Sequence, residues 1–181
     1  FLPRENLLGE RGAGMRQTLG ALNTGRVLIG SMALGILQGS LDRSIAYMKE
    51  RKAFGKTIGD FQNTQFKLAE LRTDAVVGRQ FVDKCIESFM KDELTAVDAA
   101  MAKMWLSNTH CRVVDECLQL FGGWGYMWEY PIARAYADAR IVKIAGGSIE
   151  IMKHIIGRDL FANFHKQNGS AQTSIAGINP V

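Results

Sequence analysis

Three long segments of this chain repeat apolar residues at three-four spacing, with no proline inside any of them, and that pattern admits little but helix. The three prolines of the chain are Pro3, Pro131 and Pro180, all outside these segments. Over 15–50 the stripe reads Leu22, Arg26, Ile29, Ala33, Ile36 or Leu37, and Ser40. Over 62–91 it reads Leu68, Leu71, Ala75, Gly78, Val82, Cys85 or Ile86, and Phe89. Over 94–121 Ala96, Ala99 and Ala100 permit close helix approach, and Leu106, Val113, Cys117 and Leu120 continue the face. Pro131 opens a short helix through Asp138, since proline suits a first helical turn. Ser148 is a natural N-cap for a last helix ending near Phe161.

Short links between long helices make antiparallel neighbours. The expectation is an all-α fold: an antiparallel up-down four-helix bundle with a short extra helix and irregular termini. The bundle spans 15–161. Residues 1–14, which begin at Phe1, read as an arm arriving from a missing upstream domain. The polar residues 162–181 read as a disordered tail.

Composition narrows the function classes. Hydrophobic residues make up 47% of the 181, enough for a substantial core, and no apolar run is expected to reach the length that spans a bilayer. The net charge is +4 and no basic stripe runs along a helix face, which argues against nucleic acid. Cys85, Cys111 and Cys117 are odd in number, form no Cys-x-x-Cys pair and read as small core residues. They share no metal-ligand spacing with His110, His154 or His165, so no metal site is expected.

Several features have both a structural and a functional reading. Arg26 lies on an apolar stripe, where a charge is unusual: its stem packs and its head reaches water, or it serves a site. Lys49, Arg51, Lys52 and Lys56 form either a solvated helix end or a seat for an anion such as phosphate. Gly146-Gly147-Ser148 is either an ordinary cap or a helix N-terminus holding an anionic ligand. The stretch Gln119–Pro131 packs three glycines among large aromatics, which suits a buried turn and equally suits close approach of a ligand to the main chain.

The segments Glu50–Lys56, Gln62–Glu70, Gln119–Tyr126 and Asp138–Arg140 resemble, in order and spacing, the C-terminal domain of acyl-CoA dehydrogenases. Trp124–Pro131 and Glu150–Lys153 are most similar to the long-chain branch, and the resemblance covers 1–161. It implies a preceding helical domain and β domain, and FAD lying between domains and across a subunit interface. It further implies a homo-oligomer (a dimer or, usually, a homotetramer), an acyl-CoA substrate, an electron-transfer flavoprotein as electron acceptor, and a cytoplasmic or mitochondrial matrix location. The reaction it implies is α,β-dehydrogenation of acyl-CoA thioesters in fatty acid degradation.

Carried over residue by residue, Arg51 resembles the arginine that reaches the FAD pyrophosphate of a neighbouring subunit, with Phe54 packing near the cofactor. Gln62 and Gln65 lie on the adenine side, and Gln119, Gly122 and Gly123 in the loop that meets the same dinucleotide. Ser148 stands for the threonine beside the flavin, and Arg26 resembles a supporting arginine near the reacting centre. The family's catalytic glutamate corresponds to Gly25 or Gly146, and both are glycine here. Glu129 and Glu150 match other positions and read as surface or capping carboxylates. The alternative is a non-catalytic helical subunit or interaction domain that completes a flavin site or an oligomer interface.

Overall fold

The structure is a computed structural model that describes residues 1 and 3–169, with side chains in the last helix described as far as Asn163. Five helices follow one another: α1 (Gly14–Glu50), α2 (Gln62–Met90), α3 (Ala96–Leu120), α4 (Pro131–Ala139) and α5 (Ile149–Gly169). The fold is an all-α bundle, as the apolar periodicity predicts. α3 is its centre and packs against α1, α2, α4 and α5.

The stripes are buried along their middle stretches, while Leu22, Ile29, Leu68 and Leu120 are half-buried and Ala96 is exposed; packing decides between neighbours. Leu37 is buried and Ile36 exposed; Cys85 is buried and Ile86 exposed; Phe89 faces solvent. Two clusters fill the core. Leu37, Leu41, Met48, Leu71, Val113, Val114 and Phe121 form one, and Val27, Leu34, Val82, Ala99, Ala102 and Leu106 the other. Leu106 fits between two glycines. A Cβ at Gly30 would stand 2.9 Å from its Cδ1, and one at Gly78 3.1 Å from its Cδ2. The two glycines therefore let α1 and α2 close onto α3 at the same level.

Four features differ from expectation. α3 starts at Ala96, not Leu94, because Thr95 Oγ1 accepts a hydrogen bond from the Asp98 N–H at 3.0 Å while the Asp98 carboxylate accepts from Thr95: a capping box. Residues 51–61 are not merely a broken link. They form a hairpin of β1 (Lys52–Ala53) and β2 (Lys56–Thr57), followed by a 3-10 turn, Ile58–Asp60. α5 runs past Phe161, its expected end, to Gly169, so 162–169 are helical rather than part of a disordered tail. The remainder of that expected tail, 170–181, lies outside the described residues. Finally, one 18-residue window of α1 reaches a mean hydropathy of 1.3, long and apolar enough on composition to cross a bilayer, contrary to expectation. The apolar stripe of α1 packs on α3 and α2 in the bundle.

Cys85 and Cys117 are buried free thiols, and Cys111 donates to the Ala139 carbonyl at 3.2 Å. His110 is fully buried with no hydrogen-bond partner at either ring nitrogen. Burial therefore pulls its pKa down to about 4. The native state holds the ring neutral, while the unfolded chain protonates it near 6.5. Stability is thus undiminished above that pH and falls as pH drops towards 4. We predict about 2 kcal/mol less stability at pH 5 than at pH 8 from this group, read from urea midpoints, and a flattened profile in His110→Met.

Candidate functional site

Two separate corners of the bundle collect the residues singled out by sequence. The first lies where α1 ends. Arg51, Ala53, Ile58, Gln119, Phe121, Gly122, Gly123, Trp124 and Met127 line an open groove of about 590 Å3. Four of the expected cofactor residues, Arg51, Gln119, Gly122 and Gly123, thus meet in one place although they come from opposite halves of the chain.

The aromatic loop has an anchored side and an open side. Phe121 stacks on Tyr47 of α1 at 4.2 Å between ring centroids, and Tyr130 meets both edge-on. Trp124 packs on Tyr130 at 5.5 Å. These contacts pin the loop to the bundle. Gly125 is the packing glycine: a Cβ there would fall 2.5 Å from the Leu118 carbonyl oxygen. Gly122, with φ of 58°, and Gly123 are different, since a Cβ at either meets no atom within 4 Å. Their main chain is open to an approaching ligand. The turn thus has one face packed on the bundle and one face clear of it.

Phe54, Gln62 and Gln65, expected at the cofactor, do not line this groove. Phe54 sits at the tip of the hairpin with φ of 50°, a left-handed conformation rare for a bulky residue, and is 95% exposed. Its ring touches Phe61 edge-on, and the Lys56 ammonium stands 4.2 Å over that same Phe61 ring. Gln62 opens α2 and is exposed; Gln65 donates from Nε2 to the Gly59 carbonyl at 3.0 Å.

The second corner lies in the first half of α1. Arg26, 7% exposed, donates from Nη1 to Asn23 Oδ1 at 2.9 Å and from Nε to the Gly146 carbonyl at 3.4 Å. Burial lowers its pKa. Two of its three guanidinium nitrogens are thus held by neutral acceptors within the bundle. Gly146 and Gly147 have φ of 67° and 103°, conformations suited to glycine. Ser148 caps α5, its Oγ accepting from the Ile151 N–H at 3.5 Å. Glu150, exposed in the first turn, is held below the usual carboxylate range first by its own backbone N–H and then by the Ser148 hydroxyl. Glu150 is thus a capping carboxylate, and Glu129 is exposed.

Sequence reasoning missed Lys103. It is fully buried on α3 and donates from Nζ to the Lys143 carbonyl at 3.2 Å and the Gly147 carbonyl at 2.7 Å. Desolvation, then Arg26, lowers its pKa, with Glu150 opposing. The signal was available: Ala99, Lys103, Leu106 and His110 share the three-four spacing of the α3 stripe, so Lys103 is a charge on an apolar face just as Arg26 is.

Arg26 and Arg51 are 25 residues apart on α1 and its cap, a span of about 37 Å at the helical rise. The two corners are thus far apart along one bundle.

The family description "Acyl-CoA dehydrogenase, C-terminal domain" matches residues 12–161. The chain belongs to the acyl-CoA dehydrogenase family. It is 45% identical over 162 residues to the mouse long-chain specific acyl-CoA dehydrogenase, a mitochondrial protein, covering 90% of this chain and 38% of that relative. Among solved structures, acyl-CoA dehydrogenase from Geobacillus kaustophilus superposes with a TM-score of 0.85 at 40% identity, covering 88% of this chain and 42% of that one. A structure described as the electron transferring flavoprotein of Acidaminococcus fermentans has a TM-score of 0.85 at 34% identity, covering 88% and 42%. The chain thus spans about two fifths of the length of these acyl-CoA dehydrogenase relatives.

The division of the aromatic loop predicts a contrast. Gly125→Ala should lower stability by about 1–3 kcal/mol, because its Cβ overlaps a backbone oxygen. Gly123→Ala should leave the melting temperature within a degree or two, since surface changes away from packing are nearly neutral. Equal destabilisation by both changes would contradict the assignment of an open and an anchored face.

Proposed function

We propose that this chain is the FAD-facing C-terminal domain of an acyl-CoA dehydrogenase-like oxidoreductase, with 1–14 arriving from an upstream domain, and that it lacks the usual catalytic base. The observation that carries this reading is the groove at the end of α1. A dinucleotide pyrophosphate needs a guanidinium fork and main chain that admits close approach. Arg51 and the open Gly122–Gly123 turn supply both, and Gln119 adds an amide. Phe54, held exposed in a left-handed turn, suits an aromatic that packs on something outside its own chain, and Gln62 and Gln65 extend the polar rim. At the other corner Ser148 presents a hydroxyl and Arg26 a buried cation.

One extended dinucleotide does not reach both corners of a single bundle. The 37 Å separation therefore favours a homo-oligomer, dimer or tetramer, in which each bundle offers its Arg51 groove to one cofactor and its Ser148 corner to another. When bound, the flavin would accept the β-hydride of an acyl-CoA thioester, with an electron-transfer flavoprotein as the later acceptor. The mitochondrial relatives support a mitochondrial matrix location, with the cytoplasm as the alternative.

What this chain lacks is a carboxylate for the α-proton. Gly25 and Gly146 stand where the resemblance puts it, and they are not equivalent. A Cβ at Gly25 meets no atom within 4 Å. At Gly146 the left-handed φ and the Ile29 Cδ1, 2.6 Å from an added Cβ, both oppose a side chain. The same absence favours a second reading, a non-catalytic subunit that completes a partner's flavin site.

Two experiments on the full-length protein test this. Arg51→Ala should lower flavin content after gel filtration severalfold without changing the melting temperature of the flavin-free protein; unchanged flavin removes Arg51 from the site. Saturated acyl-CoAs should bleach the flavin of the unaltered protein slowly under anaerobic conditions. Gly25→Glu should raise that rate by roughly a hundred- to ten-thousand-fold, the range typical of a positioned general base, whereas Gly146→Glu should chiefly destabilise. Fast bleaching by the unaltered protein would show that another carboxylate already does this work.

A further inference from the structure

The loop that leads into α5 is tied to the bundle by side chains from far away in sequence. Lys103 Nζ donates to the Lys143 carbonyl at 3.2 Å and to the Gly147 carbonyl at 2.7 Å. One ammonium thus joins the end of the 3-10 turn Arg140–Lys143 to the residue just before the Ser148 cap. Ser107, one turn further along α3, donates to the Val142 carbonyl at 3.0 Å, and Arg26 on α1 reaches that of Gly146 at 3.4 Å. The start of α3 is held differently, by the local capping box of Thr95 and Asp98.

The loop also lies flush on the core. A Cβ at Gly146 would stand 2.6 Å from Ile29 Cδ1, and one at Gly147 2.8 Å from Met152 Cε. Its peptide bonds are trans, so each planar unit carries its N–H opposite its C=O. With the Gly147 carbonyl drawn down onto Lys103, the Ser148 N–H at the other end of that peptide is turned away from the ammonium. The plane of this one peptide therefore fixes where the Ser148 backbone, and with it the hydroxyl, stands.

Stability alone gives little reason for a lysine at this place. Withdrawing an ammonium from water costs free energy that an apolar residue on the same stripe of α3 does not. Both of its contacts serve the loop before α5, and the shorter of the two falls on the peptide that carries Ser148.

We propose that Lys103 is a positioning residue for the flavin corner, acting through the Gly147–Ser148 peptide to hold Ser148 in place against the cofactor, a role that rests on the reading of Ser148 as the hydroxyl beside the flavin. Two carbonyls engage its ammonium, so Lys103 acts through Ser148 and not on the ligand. Its effect on flavin binding then depends on the Ser148 hydroxyl, whereas a purely structural effect does not.

A double-mutant cycle on the full-length protein separates the two. Lys103→Met keeps the length of the stem and removes the donors. FAD dissociation constants are measured by titrating flavin into flavin-free wild type, Lys103→Met, Ser148→Ala and the double variant. Lys103→Met should weaken FAD binding by about tenfold, as small misplacements at a site do, and should shift the visible absorption bands of the bound flavin. In the Ser148→Ala background the same change should cost about twofold or less, because effects carried by a shared partner are not additive. Ser107→Ala removes the neighbouring Val142 contact and leaves the Ser148 peptide alone. It should lower the urea midpoint yet keep FAD affinity within about twofold of wild type, since it lies outside that coupling. If Lys103→Met does not fold, Lys103→Gln, which retains an amide donor on a shorter stem, is read by the same criteria.

A loss of affinity equal in both backgrounds makes Lys103 purely structural and overturns the proposal. So does a Ser107→Ala loss as large as that of Lys103→Met. Ser148→Ala that weakens FAD while Lys103→Met does not removes the positioning role and leaves the flavin reading intact. Unchanged affinity in Ser148→Ala, or a wild type that binds no FAD, sinks the flavin reading of this corner and the role of Lys103 with it.

Discussion

The bundle depends on the seat that Gly30 and Gly78 leave for Leu106. A methyl group at either glycine would meet Leu106 at 3.1 Å or less, so the two glycines set how closely α1 and α2 approach α3. With Ala99, Ala100 and Ala102 on the same helix, α3 presents a surface low enough to be covered from several sides. Close packing of this kind makes positions along one helix predictable from positions along another. Lys103 and Ser107 stand just before and after Leu106, and they hold the carbonyls of Lys143, Gly147 and Val142. The glycine loop that precedes α5 is thereby fixed to the core by side chains from its most buried helix.

Rigidity at the centre gives the two ends their separate characters. At the end of α1, aromatic stacking carries the loop of Gly122 and Gly123 with its main chain outward, beside a cation on the helix cap. At the beginning, two cations are drawn inward beneath a loop of left-handed glycines. The first arrangement suits an elongated phosphate-bearing ligand on an open surface. The second holds its cations on backbone carbonyls and an asparagine amide.

Much of this was legible in the sequence because it rests on local periodicity. The three long helices, the short helix after Pro131 and the Ser148 cap follow from apolar spacing and terminal residue chemistry. Choices between adjacent residues, Leu37 against Ile36 or Cys85 against Ile86, do not, since only the facing helix decides them. The hairpin after Arg51 was hidden because its turn uses Phe54 in a left-handed conformation, where a turn signal would be asparagine or aspartate. α5 outran its expected end because no proline or glycine stops it between Gly157 and Gly169, and a polar composition alone does not end a helix. Lys103 was passed over because long aliphatic stems normally let lysine reach water. Its burial depends on carbonyls from 40 and more residues away in sequence, which spacing does not reveal.

The central claim is that the two corners serve different cofactors, so flavin is held only in an assembly. Sedimentation velocity of the full-length protein, followed by flavin absorbance and by protein absorbance across a dilution series, tests it most directly. The account predicts that flavin travels with the dimer or larger species and is released as that species dissociates. Flavin that sediments with a monomer, at the same stoichiometry as in the oligomer, would contradict it.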